Sequence, residues 1–446
     1  MSYFFRGPVA GLAATCAVAI ALATGAAKVR ADESFGRCLA GLRDDAIAKG
    51  VSAQTFTRIT KNLEPDLSVL ERLDYQPEFK TPIWDYLAAL VDDERIAEGR
   101  AMLVRWHDTL LAIEREYGVD PATVVAVWGV ESNFGKSFGT RPLLTSLGTL
   151  SCYGRRQGFF RGEFFTTMRI VQDGHVAQER LLGSWAGAFG HTQFMPSTFM
   201  RIAVDFDGDG KRDIVDSIPD ALASTANYLK RSGWRTGQTW GYEVALPKGF
   251  DESRAGRKSK RPLSQWANLG LRAYQDDRRS DSPQTAAGTM AGPNSDAGAN
   301  RSGVPGIARL AADARAQQMG SEERAGLILP AGPTGPAFLV FRNFDAIYSY
   351  NAAESYALAI AHLADRLRGG GEFIAAWPTD DIGLSRVGRR ELQTLLILRG
   401  HDIGEVDGMI GSRTREAIKA EEQRLGMPPS GRAGSRILRA LRDQKP

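Results

Sequence analysis

Residues 121–135 read P-A-T-V-V-A-V-W-G-V-E-S-N-F-G. Val124, Val125, Ala126, Val127, Trp128, Gly129 and Val130 offer no polar face, so a helix built from them has to be wrapped by protein on every side. Asp120-Pro121 gives its start, with Asp as the cap and Pro in the first turn, and Gly135 gives its stop. A single carboxyl, Glu131, sits in the last turn. A carboxyl there loses part of its hydration, which raises its pKa and lets it keep a proton near neutral pH. That is what a general acid acting on a leaving oxygen requires. The plainer alternative is a Glu that marks where the helix leaves the core.

The surroundings of Glu131 in sequence narrow the chemistry. Most glycosidases pair two carboxylates, yet no Asp or Glu occurs from Ser132 to Gly162. A second acid could come from elsewhere in the fold, but its local absence points toward a one-carboxylate mechanism. The five His lie far apart, without an H-E-x-x-H or a Cys/His cluster, which argues against a zinc hydrolase. A net charge of +4 over 446 residues is a poor basis for nucleic-acid binding, which depends on phosphate neutralisation.

Residues 1–31 read as a secretory signal peptide. Arg6 precedes an apolar run from Val9 to Thr24, and small residues follow as cleavage sites after Ala26 or Ala31. The run is shorter than the ~20 residues that span a bilayer. Cys16 lies inside the run and suits lipid attachment poorly. Export to the periplasm is the expectation. Cys38 and Cys152 then remain, and a bridge between them or two buried thiols are equally open readings.

The mature chain is mostly helical in pattern to about residue 273. A strand-like piece runs from Trp240 to Leu246, Phe338-Leu339-Val340-Phe341 reads as another strand, and residues 351–367 read as a helix. From Gln275 to Pro305 there is no Ile, Leu, Phe, Trp or Tyr, so the segment is expected to be a disordered insertion. Gly369-Gly370-Gly371 and Trp377-Pro378 mark a linker over 369–380. Residues 381–446 then form a separate small module, expected to work independently of the 32–368 domain.

Gly129-Val130-Glu131-Ser132-Asn133-Phe134-Gly135 resembles the catalytic motif of lytic murein transglycosylases of the membrane-bound lytic transglycosylase B family. Further stretches match in order: Arg155-Arg156 to Phe159-Phe160, Gly183 to Ser197, Ala203 to Phe206, Ala226-Asn227-Tyr228, and Tyr350-Asn351 to Tyr356-Ala357. The resemblance covers residues 33–368 and implies a mainly α, lysozyme-like α+β catalytic domain. It implies a lyase that cleaves the β-1,4 bond between N-acetylmuramic acid and N-acetylglucosamine in cell-wall peptidoglycan, leaving a 1,6-anhydromuramic end. Glu131 would be the only acid and base. Ser184, Gln193 and Asn351 would hydrogen-bond N-acetyl groups, and Phe194, Tyr228, Tyr350 and Tyr356 would line the cleft. A hydrolytic muramidase and a non-catalytic peptidoglycan-binding protein are the alternatives. The presence of Glu131 argues against the second. Peripheral association with the cell envelope is compatible with the reading, and no organic cofactor is implied.

Asp205-Phe206-Asp207-Gly208-Asp209-Gly210-Lys211 opens like an EF-hand loop, with oxygens at positions 1, 3 and 5, Gly at 6 and a backbone carbonyl from Lys211 at 7. Position 12 is Asp216. The family's calcium loop takes its last carboxylate slightly later, which points to Asp220. Any Ca2+ here would be structural. Finally, Leu392-Gln393, Gly400, Gly404, Asp407-Gly408, Ile410-Gly411, Thr414, Ala417, Gly426 and Gly431 resemble the three-helix peptidoglycan-binding domain. Glu422 stands where that family usually has an aromatic residue.

Overall fold

The computed structural model describes residues 33–73, 81–274 and 320–444. The expected signal peptide at 1–31 and the expected insertion at 275–305 lie outside the described residues. The chain is mainly α-helical and divides into two compact units, one holding Ser137–Ala221 with the described residues before 75, the other the described residues from 81 to 136 and from 222 on. No helix among the described residues is long and apolar enough to cross a membrane.

In the first unit the helix Leu143–Cys152 packs on Gln157–Gln172, burying Leu147, Leu150, Phe164 and Met168. Ser52 caps Ala53–Thr60, accepting from the Thr55 N–H at 3.1 Å. Cys38 and Cys152 are bonded, which decides between the two readings left open by the sequence. The buried Glu163 is fully engaged. Its carboxylate accepts from the Ser197 N–H at 2.9 Å and hydroxyl at 2.6 Å, closing the start of Pro196–Ile202.

The second unit is organised around Pro121–Ser132. This helix packs against Asp93–Arg105, His107–Tyr117 and Glu354–Leu367. Val124, Val125 and Val127 are fully buried and Trp128 nearly so. Each such side chain contributes roughly 1.5–3 kcal/mol of burial. Asp120 caps the helix as expected, accepting from the Thr123 N–H at 3.1 Å. Arg368 adds a second hold on the cap, donating to Asp120 at 2.5 Å and to the Thr123 hydroxyl at 3.0 Å.

Beside the helices lies a five-stranded antiparallel sheet in the order Gly256–Pro262, Arg324–Ile328, Ala337–Val340, Gly241–Ala245, Arg272–Ala273. Two of these strands, Gly241–Ala245 and Ala337–Val340, coincide with the strand-like stretches of the sequence. Gly256–Pro262 carries no such pattern. Its sequence, G-R-K-S-K-R-P, has no apolar alternation, and it is held by pairing with Arg324–Ile328 and by ion pairs from Arg257 and Lys260 to Asp345.

The C-terminal module has three helices, Arg386–Leu398, Ser412–Arg424 and Ser435–Asp443, around its own core of Leu392, Leu396, Ile418, Ile437 and Leu441. Glu422 is buried and structural. Its carboxylate accepts from the Ser430 N–H and hydroxyl and from the Gly431 N–H at 2.5–2.7 Å. The linker segment at 369–380 is pinned. Phe373 stacks on His362 at 4.0 Å, and Glu243 accepts from the Ile374 and Ala375 N–H groups, each at 2.7 Å.

Candidate active site

Glu131 occupies the last turn of Pro121–Ser132, and the next residues fold the chain sharply back. Ser132 is buried, its hydroxyl donating to the Trp128 carbonyl at 3.3 Å and accepting from the Gly135 N–H at 3.1 Å. Asn133 and Phe134 both take left-handed backbone angles, φ +50° and +56°. Such angles cost a non-glycine residue roughly 1–3 kcal/mol and persist only where the surroundings enforce them. The Phe134 ring returns over the helix, edge-on to Trp128 at 5.7 Å. Gly129 makes this possible, because a Cβ there would meet the Phe134 ring at 2.7 Å. The spacing of Gly129, Glu131, Asn133 and Phe134 is thus the spacing of one tightly closed helix end.

The Tyr356 hydroxyl donates to Glu131 Oε1. Burial pushes the Glu131 carboxyl up to about 8, and the Tyr356 hydrogen bond opposes that rise only in part. Burial, then the neighbouring Glu131, raise the Tyr356 phenol well above its ordinary value, so it stays a donor. The shift favours the protonated carboxyl at neutral pH, with one oxygen held by a hydrogen bond.

Three tyrosines form a row from Glu131. Tyr356 stacks on Tyr350 at 6.2 Å, and Tyr350 lies 4.6 Å from Tyr228, whose hydroxyl donates to the Ser349 carbonyl at 2.7 Å. Tyr356 is a correction to the expected cleft lining. It is 3% exposed and meets Glu131 directly, because the Glu354–Leu367 helix packs on the helix that carries Glu131. Asn351 is exposed at the end of Arg342–Asn351, next to Tyr350.

Ser184, Gln193 and Phe194 belong to the first unit. The Ser184 hydroxyl accepts from the Ala188 N–H at 3.0 Å, and the Ser184 N–H donates to the Ala188 carbonyl at 2.8 Å. Gln193 has φ +49°, and its amide nitrogen donates to the carbonyls of Gly190 at 3.0 Å and Phe138 at 3.2 Å. Phe194 does not line a cleft. It is 2% exposed, and its backbone carbonyl accepts from the Phe189 N–H at 3.1 Å, so its ring is core.

The acid loop brings Asp205, Asp207 and Asp209 together, all exposed, with one oxygen of each within 4.8 Å of the others. Asp216 is turned to an ion pair with Arg180. Asp220, expected to supply the loop's last calcium carboxylate, is instead buried behind the loop and falls outside the carboxylate cluster. Its oxygens accept from the N–H groups of Phe206 at 2.7 Å, Asp207 at 3.3 Å and Asp213 at 2.8 Å, and burial raises its pKa against these bonds. Hard oxygen donors of this kind suit a calcium ion.

A family model described as "Transglycosylase SLT domain" matches residues 34–305 and 300–365, and one described as "Putative peptidoglycan binding domain" matches residues 385–441. Membrane-bound lytic murein transglycosylase B of Escherichia coli (strain K12) is 36% identical over 196 residues, 43% of this chain. The chain spans about half the length of that relative, 52%. SltB3 from Pseudomonas aeruginosa, solved with NAG-anhNAM-pentapeptide, is 43% identical with a TM-score of 0.65, over 92% of this chain and 99% of that one. The Escherichia coli lytic transglycosylase Slt35, solved with calcium, is 27% identical with a TM-score of 0.57, over 75% of this chain and 93% of that one.

Proposed function

Because the chain belongs to the family of lytic transglycosylases defined by the SLT domain, with a peptidoglycan-binding domain at its C-terminus, we propose that it cleaves peptidoglycan between N-acetylmuramic acid and N-acetylglucosamine, with Glu131 as both acid and base. The carrying observation is the Glu131 carboxyl, raised to about 8 by burial and held by Tyr356. Protonated, Glu131 gives its proton to the glycosidic oxygen as the C1–O bond breaks. The carboxylate then takes the proton of the muramic C6 hydroxyl, whose oxygen bonds to C1 and closes the 1,6-anhydro ring. The proton lost in the first step is regained in the second. An intramolecular nucleophile has a high effective molarity, so no second carboxylate need activate water. SltB3, 43% identical, was solved with both NAG-NAM-pentapeptide and its anhydro counterpart, which supports this reading.

In this reading the Tyr228 and Tyr350 rings pack on sugar faces beside Glu131. Ser184, Gln193 and Asn351 hydrogen-bond N-acetyl groups, the roles implied by the family motifs. The acid loop takes a structural Ca2+ on Asp205, Asp207, Asp209 and the Lys211 carbonyl, with Asp220 holding the loop's backbone from behind. The protein works in the periplasm after removal of residues 1–31. The test is mass analysis of sugars released from purified peptidoglycan. Products lighter by one water than hydrolytic ones support the proposal, and hydrolytic products alone refute it.

A further inference from the structure

The C-terminal module touches the turn that carries Glu131. Arg386 is the first residue of the module's first helix, and its guanidinium reaches Asp92 and Asn133, with Glu94 as a longer third ion pair at 3.7 Å. Nε and Nη2 form a fork on the Asp92 carboxylate at 3.0 and 3.2 Å, and Nη1 donates to Asn133 Oδ1 at 2.9 Å. Asp92 is itself committed, since its Oδ1 also caps Asp93–Arg105 through the Arg95 N–H at 2.9 Å. The pair is not a loose surface bridge: the Asp92 side chain is 3% exposed and that of Arg386 16%. Two further attachments lie alongside, Arg390 to Glu94 and Arg432 to Asp85. Neither reaches the turn after Glu131. Only a planar guanidinium can fork on a carboxylate and still donate to a third oxygen, so Lys could not replace Arg386.

We propose that Arg386 is a positioning residue for Glu131. By holding Asn133 in its left-handed conformation against Asp92, it couples the seating of the C-terminal module to the orientation of the catalytic carboxyl. The inference rests on the reading of Glu131 as acid and base. Two consecutive left-handed non-glycine residues persist only where they are held, and here the Asn133 N–H to the Gly129 carbonyl at 3.1 Å and the Phe134 N–H to the Trp128 carbonyl at 3.3 Å do part of that holding. Phe134 is enforced by its ring on Trp128 and Gly129. The Asn133 side chain is enforced by Arg386, so the module supplies part of what fixes the catalytic turn. A small misplacement of a proton-transferring group lowers the rate of chemistry without weakening binding.

The experiment uses the full chain and purified peptidoglycan. Arg386→Ala should lower kcat about tenfold with KM within twofold of the parent, and should speed backbone hydrogen exchange at residues 131–136. Asn133→Gly keeps the backbone angle accessible and removes the acceptor. It should lose a similar factor, and the double variant should lose no more than either single one. Arg390→Ala, which breaks the neighbouring attachment, should stay within twofold. If Arg386→Ala does not fold, Arg386→Lys is judged by the same kcat and exchange criteria. Unchanged kcat, a loss confined to KM, additive losses in the double variant, or an equal loss in Arg390→Ala would each overturn the proposal. A parent that yields no anhydro product would overturn the acid–base reading instead, and the exchange rates would still decide the coupling.

Discussion

Glu131 stands alone at the end of an apolar helix, whereas Asp205, Asp207 and Asp209 stand together on an exposed loop. The same functional group is prepared for opposite purposes. Burial makes the Glu131 charge costly, so the group holds a proton until about pH 8 and can give it up and take it back. The three aspartates keep their hydration, and their mutual repulsion is what a divalent cation would relieve. One site is tuned by removing water from a single carboxyl, the other by crowding several in water. A buried carboxyl is not necessarily either kind. Glu163 and Glu422 are buried but spend their oxygens on N–H and hydroxyl donors that close turns.

The contrast breaks most readily at Glu131. Glu131→Gln keeps the size of the side chain and cannot exchange a proton, so anhydro-product formation should fall by at least the 10²–10⁴-fold typical of acid–base transfer. Activity within tenfold of the parent would reduce Glu131 to a helix end.

Stability should follow pH in the direction set by the raised pKa. Between about pH 4.5 and 8 the unfolded chain has released this proton and the folded one retains it, so parent stability falls as pH rises and levels off above about 8. Glu131→Gln lacks this term. Its melting temperature should therefore overtake that of the parent as pH rises through that window, by an amount on the order of a few kcal/mol in stability. A difference that does not change with pH would mean that Glu131 is ionised at neutral pH.

The acid loop should respond to calcium and not to this titration. Saturating calcium at a hundredfold excess over Kd should stabilise the fold by roughly 2.7 kcal/mol, read as a rise in melting temperature that Asp207→Asn diminishes. Cleavage well below the melting temperature should be the same with calcium or chelator. Equal melting temperatures in both would remove the metal from the comparison. The smallest expected effect is at Tyr356. Its hydrogen bond lowers the Glu131 pKa, so in Tyr356→Phe the alkaline limb of the activity profile should move to higher pH. A limb that moves down would show that Tyr356 acts on something other than this carboxyl.

Much of this was legible in the chain because it is local. The helix around Val124–Val130, its Asp120 cap, the lone Glu131, the Asp205–Asp209 loop and the glycine-marked turns of the C-terminal module all depend on near neighbours in sequence, where periodicity and turn chemistry act. Other features depend on residues brought together by the tertiary fold, and no local pattern encodes them. The Tyr356 hydroxyl on Glu131 is set by how two helices cross. Phe194 is core because the chain folds over it, and the strand Gly256–Pro262 exists because Arg324–Ile328 pairs with it. The segment 369–380 has the composition of a linker, yet Glu243 and His362 bind it down. Arg386 carried no signal among the module's many arginines, and its meaning comes only from the fold that sets it against Asp92 and Asn133. Sequence alone determined which groups could do the chemistry. Tertiary packing decided which of them are dry, which are held, and by what, because desolvation and long-range hydrogen bonds arise only when distant segments close on one another.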